Sequence, residues 1–344
     1  MLWWCFPGHA SRTCFLFDIR PETGHCSSPR SGPVGTFPSP PRGSRRRMVI
    51  VGVPDKADPV QCLSGDDVLS SRARSFLSRP YAPVRGDVTH VYVLQREMAL
   101  VDVSHQTGIG LIGSDDATTC SIVMLTDAAR DRVAIAHLDD CSQISMFVER
   151  WFDLIGAETQ ATSLFLVGGY DDERHVSAPI TTSILSYLAN HANVFDISLL
   201  VTGQCNTTTN GSCLVPRVRG VAFDVSSRDV YPVEFPSERR GPLVHYRALG
   251  ACHDLHVVVD CRQRRDAVEW VIGPYPRFPR HADDPSTLWL ATKAPDHVVL
   301  ESMSTSPNAE GPKFVPDMRA RLLLLCRPAP LLTSLRSKAE RVIL

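Results

Sequence analysis

Net charge is nearly absent: 36 basic side chains against 37 acidic ones leave a formal −1 at pH 7. So balanced a chain has no global field to draw it onto nucleic acid or an anionic membrane, and neither is expected as a partner. Long apolar runs are missing too, since none reaches the roughly 18 residues that span a bilayer. The apolar start "MLWWCFPGHASRTCFLF" is interrupted by Pro7, His9, Ser11 and Arg12, and it lacks the charged-then-apolar layout of a secretory signal. With no sign of export, "NTT" and "NGS" at 206–212 read as turn chemistry rather than glycosylation acceptors. No G-x-x-x-x-G-K-[ST] occurs, so a P-loop nucleotide cradle is not expected. The 11 cysteines contain no C-x-x-C pair, which removes the signature of zinc ribbons and thioredoxins. No metal and no cofactor is therefore expected, and the odd cysteine count fits free thiols in a reducing setting.

What is present is ordinary globular composition, 43% hydrophobic and 21% charged over 344 residues, enough to bury a sizeable core. Residues 27–47, "SSPRSGPVGTFPSPPRGSRRR", are the exception. They hold almost no aliphatic side chain, and such a segment cannot offset its ordering entropy. Residues 1–47 are thus expected to be a disordered extension, either a mis-assigned start or a targeting segment. Met48 opens the strand-like "MVIVGVP", a single domain is expected over 48–330, and 331–344 form a C-terminal tail.

Within that domain strands alternate with separate helices. "HVYVLQREMALVDV" (90–103) reads as one or two strands, and "SIVMLTDAARDRVAIAHL" (121–138) as strand, turn, strand. Apolar residues at Ile144, Phe147, Val148, Trp151, Phe152 and Ile155 recur with the 3.6-residue period of an amphipathic helix. "SLFLVGGY" and "FDISLLVTG" read as strands around the helical "ITTSILSYLANHA". "RGVAFDVSSRDVYPVEF" and "LHVVVDCRQRRDAVEWVIGPY" read as hairpins, and "PDMRARLLLLCR" as a closing helix. The pattern predicts an α+β fold, with packed mixed or antiparallel β-sheets in a sandwich-like core flanked by helices.

"GSDDATTC" (113–120) packs two carboxylates, two threonines and a thiol between the apolar runs "IGLI" and "SIVML". A cysteine directly after a polar corner is unlike one inside a core run. If the following strands pair about the centre of "TDAARD", Cys120 stands opposite His137 on the same face, with Cβ atoms about 4.5–5.5 Å apart. A cysteine beside a histidine forms a thiolate–imidazolium pair, a nucleophile for acyl carbon with an acid/base beside it. The corner's backbone N–H groups would meet an oxyanion. Against this stands chance: one Cys and one His in a hairpin need no function, and a one-residue slip puts them on opposite faces. Asp115 and Asp116 read equally as a solvated turn or as the partner of a substrate ammonium group. Because a carboxylate beside the thiol would raise its pKa, a working site requires a cation on at least one of them.

The same residues carry a family resemblance. "GSDDATTCSIVML", with "VYVLQRE" before it and "LVGGYDDE" (166–173), "IGPYPRFP" (272–279) and "LESMSTSPNAEGPKFVPDMRARLLLL" (300–325) after it, resembles the protein N-terminal asparagine amidohydrolase family. The resemblance spans roughly 48–327. It implies conversion of an N-terminal asparagine side chain to aspartate with release of ammonia, feeding eukaryotic N-degron pathways. It implies Cys120 as nucleophile, with His137 as acid/base by similarity to other Cys–His deamidases, whose sheet-sandwich scaffold is an analogy only. Substrate contacts are then expected at Ser114, Asp115, Asp116, Thr118, Thr119, Ser304 and Glu310, with Thr305 and Ser306 beside them. For "STSPNAE" a helix cap broken by Pro307 is an equal reading, and in "GGYDDE" Gly168 and Gly169 read as a turn after a buried strand. The implied partners are proteins or peptides with N-terminal Asn, the implied state a monomer. The implied setting is cytoplasmic or nuclear, with organelle targeting by residues 1–47 as the alternative. The family begins near Met48, whose removal would expose Val49 near the site. Two alternatives stay open: a cysteine deamidase or transamidase acting on glutamine, and a recognition module that binds N-termini without turnover.

Overall fold

The computed structural model describes residues 63 and 65–343, except 85, 105–107, 157–160, 192–194, 251–253, 263–267, 276–283, 327–330, 332–333 and 336–337. The expected extension 1–47, the Met48 start and the strand after it lie outside the described residues, as does part of the 272–279 motif. In chain order the first strands are β1 (Ala82–Pro83), β2 (Thr89–Tyr92), β3 (Glu97–Asp102), β4 (Ile109–Ser114) and β5 (Ser121–Thr126). Next come β6 (Arg132–Leu138), β7 (Thr162–Gly168), β8 (Phe195–Val201), β9 (Thr207–Asn210) and β10 (Cys213–Pro216). The last are β11 (Val221–Asp224), β12 (Asp229–Glu234), β13 (His256–Asp260), β14 (Glu269–Ile272) and β15 (Glu340–Ile343). Among the described residues the helices are α1 (Asp67–Leu77), α2 (Gln143–Ile155), α3 (Ser177–Asn190), α4 (Val244–Gly250), α5 (Pro285–Thr292), α6 (Asp296–Met303) and α7 (Phe314–Cys326).

The α+β architecture read from the sequence is present. An eight-stranded mixed sheet runs β15-β14-β13-β3-β6-β5-β7-β8, a five-stranded one β1-β12-β11-β4-β2, and β9–β10 make a separate hairpin. Three of the expected hairpins form, β5–β6, β11–β12 and β13–β14, all antiparallel. Parallel pairs also occur: β7 and β8 run parallel with α3 between them, and β3 pairs parallel with β13. The segment set apart as a tail supplies β15, an edge strand antiparallel to β14.

Alternation sorts the large sheet into two faces. Val123 and Leu125 of β5, Ala134, Ala136 and Leu138 of β6, and Leu164 and Leu166 of β7 form one core. Ile144, Phe147, Val148, Trp151 and Ile155 of α2 pack into it, with Ile180, Ile184, Leu185 and Leu188 of α3. The 3.6-residue stripe read in 141–156 is thus the buried face of α2, with Phe152 at its margin. Each such side chain contributes about 1.5–3 kcal/mol on burial. The Trp151 indole N–H donates to Thr162 Oγ1 at 3.0 Å, so its polar atom is satisfied inside.

The opposite face of the same strands carries Ile122, Met124, Val133, Ile135 and His137, all buried. There β4 of the smaller sheet meets β6, and Ser114 at its end reaches His137. A layer order of helices, large sheet and small sheet therefore places one polar contact between two sheets. Asn206, at the end of a 3₁₀ turn, is buried, its amide bonded to Gly169 O, Val218 O and Val218 N–H, whereas Thr207 and Thr208 of "NTT" lie in β9 rather than in a turn. Among the described residues no helix is long and apolar enough to cross a membrane.

Candidate active site

The β5–β6 hairpin forms, but not in the expected register. Ile122, not Cys120, stands opposite His137, and Ser121 stands opposite Leu138. The turn explains the difference. Thr126 stays in β5, buried and paired with Val133. Asp127 Oδ1 instead starts the turn by accepting the N–H groups of Asp131 (2.8 Å) and Arg132 (3.2 Å), and Arg130 closes it at φ +56°. The pairing thus shifts by two residues. A shift of two preserves the face, so continuing the alternation back from Ile122 sets Cys120 diagonally across from His137 rather than beside it.

His137 has a defined tautomer. Ser114 Oγ lies 2.7 Å from the Val93 carbonyl oxygen and 2.9 Å from His137 Nδ1. A serine hydroxyl has one hydrogen, and the carbonyl can only accept it. Nδ1 therefore carries a proton and donates it to Ser114 Oγ, which leaves Nε2 as the basic nitrogen. Nε2 is buried and, among the described residues, has no hydrogen-bond partner. An unpaired base in a dry site costs stability and is what a proton acceptor requires.

Charge on this pair differs from the sequence expectation. Burial pushes the Cys120 thiol upward, and the carboxylates of Asp139 and Glu310 push the same way; Arg96 and a Thr119 hydrogen bond oppose them without prevailing. Burial lowers His137 to about 4, against the raising influence of Asp139 and Asp116. Both shifts favour a neutral thiol and a neutral imidazole over the expected thiolate–imidazolium, because both ions would be desolvated here. Burial also works to raise Asp139, but the Arg96 guanidinium, bonded through Nε at 2.7–2.8 Å, with Gln95 and Gln143 as further donors, holds it low. The Arg96 N–H donates to the His137 carbonyl at 2.7 Å, tying the end of β6 in place.

The two aspartates divide their work. Asp115 is 2% exposed and accepts the Tyr92 hydroxyl at 2.7 Å and the Phe235 N–H. Asp116 has 46% of its side chain exposed and a left-handed backbone, φ +59°. The required cation is Arg240, whose Nη2 lies 3.2 Å from Asp115 Oδ1 and 2.5 Å from Asp116 Oδ2. Burial and the neighbouring Asp116 charge raise Asp115 to about 7, against the pull of Arg240 and its two hydrogen-bond donors.

The 304–310 segment meets this corner, which is not a simple helix cap. Ser306 Oγ donates to Thr118 Oγ1 at 2.9 Å, and the Thr119 and Thr305 hydroxyls lie 3.0 Å apart. Ser304 Oγ accepts the Ser306 N–H at 2.9 Å and donates to Glu310 Oε1. Burial raises Glu310 to about 7, Ser304 opposing and Asp116 adding to the shift. All nine expected residues thus belong to one region, around a thiol that is 9% exposed. Sequence reasoning missed Tyr92, Arg240, Arg96 and Asp139. "VYVLQRE", quoted for its resemblance, held Tyr92 and Arg96; nothing near "ERRGP" marked Arg240 as the aspartates' partner.

Comparison with known proteins supplies the family. A family model described as protein N-terminal asparagine amidohydrolase matches residues 81–342. A Sus scrofa relative of that name is 29% identical over 76% of this chain and 82% of its own length. One from Mus musculus is 29% identical over 79% and 86%, and one from Homo sapiens 28% identical over 76% and 83%. The match spans the corner, the hairpin and the 304–310 segment together, and the chain belongs to the protein N-terminal asparagine amidohydrolase family.

Proposed function

We propose that this chain hydrolyses the side-chain amide of an N-terminal asparagine to aspartate, releasing ammonia, through a thioester on Cys120. The observation that supports the reading is the Nε2 of His137, unpaired among the described residues and left basic by Ser114, on the sheet face to which alternation back from Ile122 also assigns Cys120. Because the thiol rests neutral, its proton passes to Nε2 as sulfur attacks the amide carbon. Backbone N–H groups of the Thr118–Cys120 corner receive the developing oxyanion. The imidazolium then protonates the amide nitrogen, the C–N bond breaks and ammonia leaves. A water gives its proton to Nε2 and its oxygen to the thioester carbon, and the departing sulfur takes the proton back.

Asparagine at an N-terminus brings an α-ammonium, which needs a carboxylate with free valence. Asp115 is occupied by Tyr92, Phe235 and Arg240. Asp116 keeps part of its carboxylate exposed, and Glu310, raised by burial and by the Asp116 charge, adds a second acidic group to the same corner. These two receive the ammonium, while the hydroxyls of Thr118, Thr119 and Ser304 line the approach. The product, an N-terminal aspartate, would feed arginylation and an N-degron pathway.

The test is ammonia release from an Asn-initiated peptide by the wild type and Cys120→Ala. The variant is expected to fold, by circular dichroism and melting temperature, and to release none. Retained activity would overturn the assignment. N-acetylated Asn and internal Gln peptides are expected to be inert; turnover of either would favour a glutamine deamidase or transamidase. Binding of Asn-initiated peptide without turnover by the wild type would identify a recognition module instead.

A further inference from the structure

Arg240 sits outside every motif read in the sequence, yet its 3%-exposed side chain touches three carboxylates. Besides Asp115 and Asp116, its Nη1 lies 3.5 Å from Asp317 Oδ2 on α7. The guanidinium stands over the Tyr92 ring at 5.5 Å. Its backbone is anchored separately: the Arg240 carbonyl accepts Arg247 Nη1 at 2.7 Å. Arg247 in turn forms a two-point pair with Glu97, Nε to Oε1 at 3.0 Å and Nη2 to Oε2 at 2.5 Å. Both of these side chains are wholly buried. Two sets of ion pairs, joined by the hydrogen bond from Arg247 to the Arg240 carbonyl, thus connect β3 of the large sheet to the corner before Cys120.

The corner's other residues have anchors besides Arg240. Asp115 is held by Tyr92 and Phe235, and the Ala117 N–H donates to the Arg219 carbonyl at 2.9 Å. Asp116 lies between these anchors in the left-handed region, an uncommon conformation for a residue with a side chain. Its carboxylate is steered by Arg240, and Nη2 engages one of its two oxygens.

We infer that Arg240 is a positioning residue for substrate binding: it holds the Asp116 carboxylate, one face free, where the α-ammonium of the substrate arrives. The inference rests on the reading of Asp116 as an ammonium contact. Arg240 itself touches no reacting atom. A guanidinium reaches two carboxylates from one planar fork, and a lysine ammonium does so less well, so Arg240→Lys keeps the charge while loosening the geometry.

The experiment compares two peptides, one beginning with Asn and one with a succinamoyl group, which carries the same side-chain amide without the amine. Ammonia release gives kcat and KM for the wild type, Asp116→Asn, Arg240→Lys, Arg240→Gln and the Asp116→Asn/Arg240→Lys double variant. Both Arg240 variants are expected to raise KM for the Asn peptide by about tenfold or more, with kcat and all values for the succinamoyl peptide nearly unchanged. The double variant is expected to match Asp116→Asn alone, since both changes remove one contact. Arg240→Lys carries the test if Arg240→Gln, which strands Asp115, fails to fold. Equal losses on both peptides, or additive losses in the double variant, would overturn the positioning role. An Asp116→Asn with unchanged KM would instead overturn the ammonium site, and the Arg240 inference with it. A high KM in Asp116→Asn with a normal one in Arg240→Lys and Arg240→Gln would overturn the Arg240 inference alone.

Discussion

Gly168 stands opposite Ser121, and a methyl group at its Cβ position would lie 2.6 Å from the Cys120 carbonyl oxygen. That is closer than any real contact, and the obstacle is backbone. Gly168 also has φ +111°, a conformation open only to glycine at low cost. Gly168→Ala is expected to lose about 1–3 kcal/mol of stability and, by moving the peptide of Cys120, the proposed nucleophile, to lower kcat by about 10²-fold. Denaturant unfolding and initial rates measure the two losses; full activity would show that the strand yields without moving Cys120.

Ser114 Oγ contacts Nδ1 of the His137 imidazole at 2.9 Å, so its expected effect falls on the ring. Ser114→Ala removes the acceptor of the Nδ1 proton and lets the ring choose either tautomer. It is expected to reduce kcat by about 10²-fold and to leave KM close to the wild-type value. A change in KM with unaltered kcat would assign Ser114 to substrate contact instead.

Glu310 makes activity and stability respond oppositely to pH. Its folded pKa is about 7 against an ordinary 4.5, so the folded state holds a proton that the unfolded state has released. Its contribution to stability is present below about 4.5 and lost as pH rises through 7. Glu310→Gln is therefore expected to match the wild type near pH 5 and to exceed it by about 2–3 kcal/mol at pH 8. Activity runs the other way, because the ammonium needs the ionised acid. The kcat/KM profile is expected to rise with a midpoint near 7, and that limb should flatten in Glu310→Gln. Denaturant midpoints at the two pH values and a pH–rate profile check both halves.

The Glu97–Arg247 pair is a structural risk placed next to the site. Arg247→Met would leave the Glu97 carboxylate buried without its cation, and about 3–5 kcal/mol of stability is expected to go. Glu97→Gln added to that variant should restore part of the loss, since no charge is then stranded. Urea unfolding of the two variants decides this; a double variant worse than the single one would refute it.

Patterns that repeat along the chain were readable. The apolar stripe of α2, the alternation of β5 and β6 and the polar corner before Cys120 are local, and each appears where the sequence placed it. Register was not readable, because it depended on whether Thr126 ended a strand or began a turn, and the Asp127 carboxylate settled that through two backbone N–H groups. Partnership was not readable either. Arg240 lies more than a hundred residues from the aspartates it pairs with, and Glu97 is 150 residues from Arg247. The protonation of Cys120 depended on burial, which the spacing of Cys and His does not encode.

His137, the proposed base, sits on β6 of the large sheet, and the Ser114 hydroxyl that orients it sits on β4 of the small one. That 2.9 Å contact spans the seam between two layers, so it serves as a gauge of their alignment. A slip of one sheet over the other by the width of an atom would uncouple Ser114 from His137 while every ladder within each sheet stayed intact. Heat, denaturant or a mutation at the seam should therefore silence the enzyme before the fold gives way.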